Sequence, residues 1–298
     1  MRLTDEIRAA AARVAAAARS VRIVEEAIGP YARTLPAEAL PAPDLVGGDP
    51  EQRAAFSLQL DAINFGSGWF PTLRKQPGVS GFRTIEGGLR QRGPWPAEAL
   101  ARVTREEIAA ALGQDPRHEL MGHFERHLRE LGARVRDEHG GSFLALARSG
   151  GGSAEVLAAR LAGWETWRDV SRYDGAPVPF FKRAQIAAAD LALTGLAPAH
   201  DLERLTLFAD NLVPHVLRID GVLQLDDELV RRIDAGLLLE HGSPEEVEIR
   251  ACALHAVELL VAAHGATTAA TVDNVLWNRG AAPRYKARPR HRTRTTAY

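Results

Sequence analysis

Several features that would indicate a particular class of protein are rare or absent in this sequence. It contains one cysteine, Cys252, in 298 residues, which excludes an internal disulfide and any metal site built from several cysteines. It has no uninterrupted apolar run of about eighteen residues, the length that a membrane-spanning helix needs. Its formal net charge is only −1, so the chain as a whole has no general attraction to nucleic acid. We therefore expect a soluble globular protein, a class that its ordinary composition fits.

The charges that are present are unevenly distributed. Near the N-terminus, MRLTDEIRAAAARVAAAARS carries charges spaced through its alanines, whereas a signal peptide needs an uncharged core, so we expect a cytoplasmic protein. Residues 284–298 hold six basic side chains and no acid, which leaves −7 on the rest of the chain. Such a segment is either a disordered nucleic-acid arm or a strand of cations folded back over an anionic ligand. Composition leaves both alternatives open.

Helical periodicity dominates the chain and predicts an all-α fold. Apolar residues recur three and four positions apart in most segments, including residues 4–35, with Thr4 as the expected cap, and residues 201–218. Thr104 begins a further helix with a capping-box pattern. VSGFRTIE, residues 79–86, is the one short candidate for a strand. RSGGGS, from residue 148, is expected to be a flexible loop and not a domain boundary.

The histidines of HELMGHFERH do not have the spacing of a zinc-protease helix. His118 and His123 are five residues apart and therefore lie about 140° apart around a helix. Only His123 and His127 share a face. A solvated helix face is the expected role of this segment, and no metal is predicted.

DAINFGSGW, which starts at Asp61, brings polar groups and aromatic rings to the end of one predicted helix. Asp61, Asn64, Phe65 and Trp69 suit a pocket in which a few polar groups orient a ligand among apolar walls. An aromatic corner of the core with a capping asparagine explains the same residues equally well.

Lys182, Arg183 and Gln185 stand at the start of an otherwise apolar helix. Cations oppose the helix dipole at this end, so local stability does not explain them. An anion bound there would explain the lysine. The alternative is a surface salt bridge.

Asp273 and Trp277 are four residues apart and share a helical face, with Asn278 adjacent. An indole beside a carboxylate and a carboxamide could stack on a flat heterocycle and bond to its edge. A structural role is the commoner fate of a tryptophan.

Asp210 lies in an apolar stretch, LTLFADNLVPHVLR, where an unpaired carboxylate is costly to bury. A buried carboxylate without an obvious partner is a functional candidate, although structural ion pairs also occur. Phe208 is two residues away and diverges from Asp210 on a regular helix. The two converge on one ligand only if the helix begins or is distorted there, as Pro214 permits.

Five segments, in collinear order over nearly the whole chain, resemble the queuosine salvage protein family, the queuosine 5′-phosphate N-glycosylases. They are DAINFGSGWFPTLRKQPGVSGF, VPFFKRAQI, LTLFADNLVPHVLR, VDNVLWNRG and PRHRTRTTAY. The resemblance implies one domain over residues 1–298, with an all-helical fold related to the helix-hairpin-helix DNA glycosylases. It also implies hydrolysis of queuosine 5′-monophosphate to queuine and ribose 5-phosphate, with no cofactor, nucleic-acid polymer or membrane involved. The oligomeric state stays open.

The resemblance also implies residue roles. The family's Phe-Ala-Asp motif falls on this stretch with Asp210 as the catalytic carboxylate and Phe208 as a wall of the base pocket. The late positions that contact the base fall on Asp273, Trp277 and Asn278. The family pattern has Tyr and Asp at the last two positions, so tryptophan keeps the stacking while Asn278 loses a charge.

Lys182 matches the lysine of the family's KRAQ motif, and its charge suggests a contact with the phosphate or the ribose. Asn64 completes the expected substrate contacts. The basic segment 284–298 is expected to fold onto the active site and to help Lys182 neutralise the 5′-phosphate. Its phosphate-binding side chains are expected to be His291, Arg292 and Arg294.

Two alternatives belong to other classes. A helix-hairpin-helix DNA-repair glycosylase would share the fold and Asp210, but it needs a broad basic face. The acidic body and the lack of a clear LPGVG-type hairpin disfavour it. A non-catalytic protein that binds modified nucleotides would explain an aromatic pocket but not a carboxylate aimed at C1′. Whether Asp210 acts as nucleophile, general base or electrostatic stabiliser stays open.

Overall fold

The computed structural model describes residues 2–38 and 42–298, and helices dominate these residues. In the described ranges the α-helices, numbered α1 to α15, are Leu3–Ala17, Glu25–Ala32, Pro50–Ala62, Gly81–Arg92, Ala97–Leu100, Arg105–Leu112, Glu119–Glu138, Phe143–Arg148, Ala154–Ala162, Lys182–Leu193, Leu212–Ile219, Asp227–Asp234, Pro244–His264, Ala269–Arg279 and Pro283–Lys286. The strands, numbered β1 to β6, are Val21–Ile23, Val170–Tyr173, Ala176–Pro179, Leu223–Leu225, Leu238–Leu239 and Arg292–Thr293. The strands pair as β1 with β4 and β2 with β3, both antiparallel, and as β5 with β6 in parallel.

The predicted helical class is confirmed, and local capping explains several of the helix starts. At α6 the Thr104 side chain accepts the N–H of Glu107, and the Glu107 carboxylate accepts the N–H of Thr104 at 2.8 Å. The same helix ends at Gly113, whose φ of 65° is favourable for glycine. At α13 the Ser243 side chain accepts the N–H of Glu246, and Pro244 follows in the first turn.

The prediction of a strand at residues 79–86 is wrong, because α4 covers most of them. The Ser80 side chain accepts the N–H of Arg83 and so caps this helix. Ile85 and Leu89, four residues apart, bury one face of it against the core. Helical spacing of two apolar residues thus outweighs the short β-like pattern.

The segment 4–35 is not one helical run, because β1 separates α1 from α2. This strand pairs with β4 from the distant segment 223–225. Thr4 lies inside α1 and is not its cap; its hydroxyl donates to the buried carboxylate of Glu155 at 2.8 Å.

The segment 201–218 is helical mainly in its second half, where α11 begins at Leu212. Residues 205–209 have no regular secondary structure. Side chains from remote positions bond their backbone instead: the acceptors are Gln185 and Asp273, and the donor is Arg250. These contacts take the place of helical hydrogen bonds, so we call residues 205–209 the irregular segment.

The irregular segment lies between two hydrophobic cores. Leu205 and Phe208 pack in the first core, while Leu207 and Ala209 pack in the second. Asp210 follows directly, so it is placed where the two cores meet. The first core includes Phe56, Ile85, Phe124, Leu128, Trp164 and Trp167; the second includes Ile7, Val21, Val216, Val247, Cys252 and Leu260.

Within the described ranges, no single helix has both the length and the apolarity to cross a membrane. Only α13 and α14 together satisfy that test, as a pair bent by 113°. Twelve of the 21 residues of α13 are buried, and its buried apolar residues belong to the second core.

Candidate active site

Asp210 directly follows the irregular segment, and its side chain caps the helix that comes next. Its Oδ1 atom accepts the backbone N–H groups of Leu212 at 2.8 Å and Val213 at 3.0 Å, donors that have no partner within α11. No described residue donates a hydrogen bond to Oδ2, and Asp210 is partly buried. Pro214 lies in the first turn of α11, where proline is tolerated. The helix therefore begins after Asp210. A helix start at this point is one of the two arrangements that would let Phe208 and Asp210 face the same ligand.

Asp273, on α14, is bonded to the irregular segment. Its Oδ1 atom accepts the N–H of Phe208 at 3.1 Å, and both residues are buried. Burial and the nearby Asp210 carboxylate raise the pKa of Asp273 well above its usual range, because a second negative charge is unfavourable in a site with little water. The structure thus brings Phe208, Asp210 and Asp273 together.

Lys182, the first residue of α10, is buried at the same place. Its Nζ atom donates to the backbone oxygen of Asn64 at 2.8 Å. Burial lowers the pKa of Lys182 to about 8, although the carboxylates of Asp210, Asp61 and Asp273 act in the opposite direction. The surface salt bridge considered for Lys182 is therefore wrong, since the ammonium group lies inside the protein.

Arg183 and Gln185 bond to the protein's own groups and stabilise the start of α10. Arg183 is fully buried and donates to the carbonyl of Ala62 at 2.9 Å and to that of Thr166. Its guanidinium carbon lies 5.2 Å from the ring centroid of Phe65. Gln185 accepts the N–H of Thr206 in the irregular segment at 2.9 Å. Neither side chain needs a ligand to explain it.

Two further carboxyl groups lie close to Lys182, and the sequence analysis did not single out Asp190. Burial raises the pKa of Asp190 to about 7, with Lys182 opposing the shift, and burial raises the pKa of Asp61 well above its usual range. Asp61 also lies 3.5 Å from the hydroxyl of Ser57. Asp190 follows Lys182 by eight residues, about two helical turns, so that spacing was an available signal. We call this set the carboxylate–lysine cluster: Asp61, Lys182, Asp190, Asp210 and Asp273.

The aromatic residues after Asn64 belong to the first core. Phe65 packs edge-on against Phe124, with 5.2 Å between ring centroids. The Trp69 indole N–H donates to the carboxylate of Glu119 at 2.7 Å. Phe65 and Trp69 therefore form an aromatic corner of the core. Asn64 contacts the carboxylate–lysine cluster, because its backbone oxygen accepts from Lys182.

The predicted solvated face of α7 is wrong for His127. Its ring is buried 4.5 Å from that of Phe65, between centroids, and Nδ1 lies 2.7 Å from the backbone oxygen of His123. Burial lowers the pKa of His127 to about 2, so the ring is neutral. His118 caps α7 through its ring nitrogen. No group of three or more His, Cys, Asp or Glu side chains in residues 2–38 and 42–298 is placed to hold a metal ion.

Trp277 lies on α14, one turn beyond Asp273, at the border of the second core. Its ring meets that of Phe82 edge-on at 6.0 Å between centroids, and the guanidinium carbon of Arg83 lies 5.6 Å from its centroid. Asn278 is exposed, and its amide donates to the carbonyl and side chain of the residue four positions earlier in α14. Of these two residues, only the tryptophan remains partly buried.

The basic segment 284–298 runs along the body of the protein and does not project as a free arm. Asn211, next to Asp210, donates through its amide to the backbone oxygen of His291 at 3.2 Å. The N–H of Gly66 donates to the backbone oxygen of Tyr298 at 3.0 Å. The segment therefore touches the chain on both sides of the carboxylate–lysine cluster.

The three side chains expected to bind phosphate differ in their surroundings. Burial lowers the pKa of His291 to about 3, so this ring carries no positive charge at neutral pH, contrary to expectation. Arg292 donates to the backbone oxygen of Gly236 at 2.9 Å. Arg294 is exposed and lies 3.5 Å from the carboxylate of Glu119.

Arg290, another basic residue of this segment, lies near Asp210. No role was predicted for it from the sequence. It is partly buried, and burial lowers the pKa of its guanidinium while the Asp210 carboxylate opposes the shift. Among the described residues, no carboxylate lies within ion-pair distance of it. Its charge is therefore available to an anion beside Asp210.

A buried lysine among several carboxyl groups with shifted pKa values is the arrangement that proteins commonly build at functional sites. Residues 47–298 match the family model of the queuosine salvage protein, and the chain belongs to that family. The motif resemblance is thereby confirmed.

The chain is similar to the queuosine 5′-phosphate N-glycosylase/hydrolase of Sphaerobacter thermophilus, with 33% identity over 96% of this chain and 95% of the relative. It is also similar to the protein of the same name from Dictyostelium discoideum, with 34% identity over 68% of this chain and 65% of the relative. The mouse relative, again of that name, is 33% identical over 55% of this chain and 51% of its own length.

Proposed function

We propose that this chain hydrolyses the N-glycosidic bond of queuosine 5′-monophosphate and releases queuine and ribose 5-phosphate. The observation that carries the proposal is the Asp210 carboxylate, fixed through Oδ1 and free at Oδ2, in a chain similar over nearly its full length to an enzyme of that name. As the C1′–N bond breaks, water supplies a hydroxyl to C1′ and a proton to the base nitrogen, so the atoms balance.

Asp210 acts on the sugar side of the bond. Breaking the bond builds positive charge on C1′ and the ring oxygen, and a preorganised carboxylate stabilises that charge or attacks C1′. Queuine is a 7-deazaguanine and has no N7 to protonate, so help from the base is limited. The two N–H donors from α11 fix Oδ1, and this leaves Oδ2 as the oxygen that faces C1′.

The base lies against Phe208, Asp273 and Trp277. Because the pKa of Asp273 is raised by burial and by Asp210, its carboxyl group can donate as well as accept a hydrogen bond at the edge of the base. Trp277 supplies a flat surface one helical turn away. A contact from Asn278 requires its amide to rotate away from its present partner in α14.

The 5′-phosphate lies near Lys182 and Arg290. Both cations are electrostatic neighbours of Asp210, and the pKa of each is lowered by burial. A phosphate dianion would stabilise both charges. This assignment replaces His291, which is neutral, and Arg294, which lies beside Glu119.

We also propose that the fold is related to the helix-hairpin-helix DNA glycosylases. The support is the connection between α8 and α9, a five-residue hairpin at positions 149–153. Gly151 and Gly152 have φ values of 61° and 87°, a left-handed turn that glycine favours. The sequence of this stretch, RSGGGS, predicts only a flexible loop.

The same hairpin argues against DNA as the substrate. A DNA-binding hairpin offers the N–H groups at the start of its second helix to a backbone phosphate. Here the carboxylate of Asp201 accepts the N–H of Ala154 at 2.7 Å and the hydroxyl of Ser153. The protein's own anion occupies the position that a phosphate would need.

The proposal is tested by incubating the purified chain with queuosine 5′-monophosphate and measuring free queuine and ribose 5-phosphate by mass spectrometry. Unphosphorylated queuosine and guanosine 5′-monophosphate serve as matched substrates. Isothermal titration on the same preparation separates binding from turnover. Tight binding without base release would indicate a non-catalytic nucleotide-binding protein, and steep salt-dependent binding to duplex DNA would indicate a DNA-repair glycosylase.

A further inference from the structure

Arg250 lies fully buried in the middle of α13 and bonds to the backbone next to Asp210. Its Nε atom donates to the carbonyl of Ala209 at 3.0 Å. Its two terminal nitrogens donate to both carboxylate oxygens of Asp169, at 3.0 Å and 2.7 Å. A planar guanidinium that makes these three bonds has little freedom to move.

Asp169 extends this contact to Lys182. Its Oδ2 atom, which accepts from Arg250, also accepts the backbone N–H of Lys182 at 3.1 Å. The backbone oxygen of Asp169 accepts the N–H of Phe180 at 2.9 Å. One buried ion pair therefore holds the start of α10 and the residue before Asp210 in a fixed relation.

Two aromatic rings enclose the guanidinium. Its central carbon lies 3.9 Å from the ring centroid of Phe180 and 4.4 Å from that of Tyr298. Tyr298 also accepts the N–H of Gly66 through its backbone oxygen. The basic segment thus reaches the same guanidinium as Phe180 does, through its last residue.

We propose that Arg250 is a positioning residue for the reaction, which orients Asp210 through the Ala209 carbonyl and is itself held in place by Asp169. The inference rests on the proposed function. The ion pair with Asp169 does not by itself require an arginine here, because buried ion pairs are often replaceable by apolar residues of similar volume. The bond that an apolar residue could not supply is the one to the Ala209 carbonyl, directly before Asp210.

The test is a double-mutant cycle with Arg250→Lys and Asp210→Asn. Lysine keeps the charge but cannot bond to Ala209 and to both oxygens of Asp169 together. A misplacement of about 1 Å lowers the rate by up to about 10²-fold, so Arg250→Lys should lower kcat by about 10- to 100-fold while KM changes little. In the Asp210→Asn background, where the charge to be oriented is absent, the same substitution should lower the residual kcat by less than about 3-fold.

Arg183→Lys is the matched control, since Arg183 is also fully buried and stacked on aromatic rings. Thermal unfolding of each variant shows how much activity is lost through destabilisation alone. If Arg250→Lys fails to fold, Asp169→Asn replaces it in the cycle with the same expected dependence on Asp210, because it keeps the side-chain volume but removes one of the two oxygens that accept from the guanidinium.

Equal losses of kcat from Arg250→Lys in both Asp210 backgrounds would overturn the inference, as would a loss no larger than that of equally destabilised Arg183→Lys. Strong dependence on Asp210 would support it. If the wild-type chain releases no queuine, the proposed function itself fails, which is a different and separately visible outcome.

Discussion

Asp210→Asn removes one negative charge from the site while it keeps the helix cap. Asparagine caps helices about as well as aspartate, and its side-chain oxygen can accept the N–H groups of Leu212 and Val213 as Oδ1 does. The unfolding temperature should therefore change little. Asp210→Ala is the matched comparison, since it also loses the cap and about 1 kcal/mol of stability.

The expected loss of rate follows from the charge. A carboxylate about 4 Å from a developing unit positive charge, at an effective dielectric constant of about 20, contributes about 4 kcal/mol. That energy corresponds to about a 10³-fold change in rate. We expect kcat of Asp210→Asn to fall to about a thousandth of the wild-type value, with substrate affinity nearly unchanged.

The assay is single-turnover release of queuine from queuosine 5′-monophosphate, followed by mass spectrometry, with affinity measured by titration calorimetry. A variant that keeps more than about a tenth of the wild-type rate has lost less than about 1.4 kcal/mol. Such a result would refute the electrostatic role of Asp210. Equal losses of rate in Asp210→Asn and Asp210→Ala, with the substrate affinity of Asp210→Asn unchanged, would support the electrostatic role of Asp210.

Three other substitutions test the surroundings of Asp210. Because Lys182 has a pKa of about 8, kcat/KM for the monophosphate should fall as pH rises above that value, and this fall should be absent from the pH profile of Lys182→Met. A wild-type pH profile without the fall would contradict a phosphate contact of Lys182. The unfolded chain keeps this proton to higher pH than the folded protein does, so Lys182 should also make the free energy of unfolding rise with pH above about 8, which urea titrations measure. Arg290→Gln should lower kcat/KM for the monophosphate about 10- to 100-fold, the loss of a charged hydrogen bond, with a much smaller effect on the nucleoside; equal effects of Arg290→Gln and the exposed control Arg284→Gln would exclude a phosphate contact. Gly68→Ala would place a methyl group 2.4 Å from the backbone oxygen of Thr293, so limited proteolysis should cleave the displaced basic segment faster than in the wild type, and an unchanged cleavage pattern contradicts its docking.

Local signals in the sequence predicted what is local in the structure. The capping pattern at Thr104 depends on residues within one helical turn, and it is confirmed. The collinear motifs also identified the family, because they span most of the chain.

The shape of the site depends on contacts that no local pattern contains. The irregular segment resembles a helix in its apolar spacing, yet Gln185, Asp273 and Arg250 bond its backbone from positions distant in the chain. Tertiary hydrogen bonds therefore override helical propensity there. Burial, too, is a tertiary property, which explains why the neutral state of His291 and the proximity of Arg290 to Asp210 were not predicted.

We expect the free oxygen of Asp210 to face the anomeric carbon of a bound nucleotide. A crystal structure of Asp210→Asn soaked with queuosine 5′-monophosphate tests it most directly, since the slow variant retains its substrate. We expect the side chain at position 210 within about 3.5 Å of C1′, a reactive separation, with the phosphate beside Arg290 and Lys182. A nucleotide bound with its C1′ well away from this side chain would contradict the account.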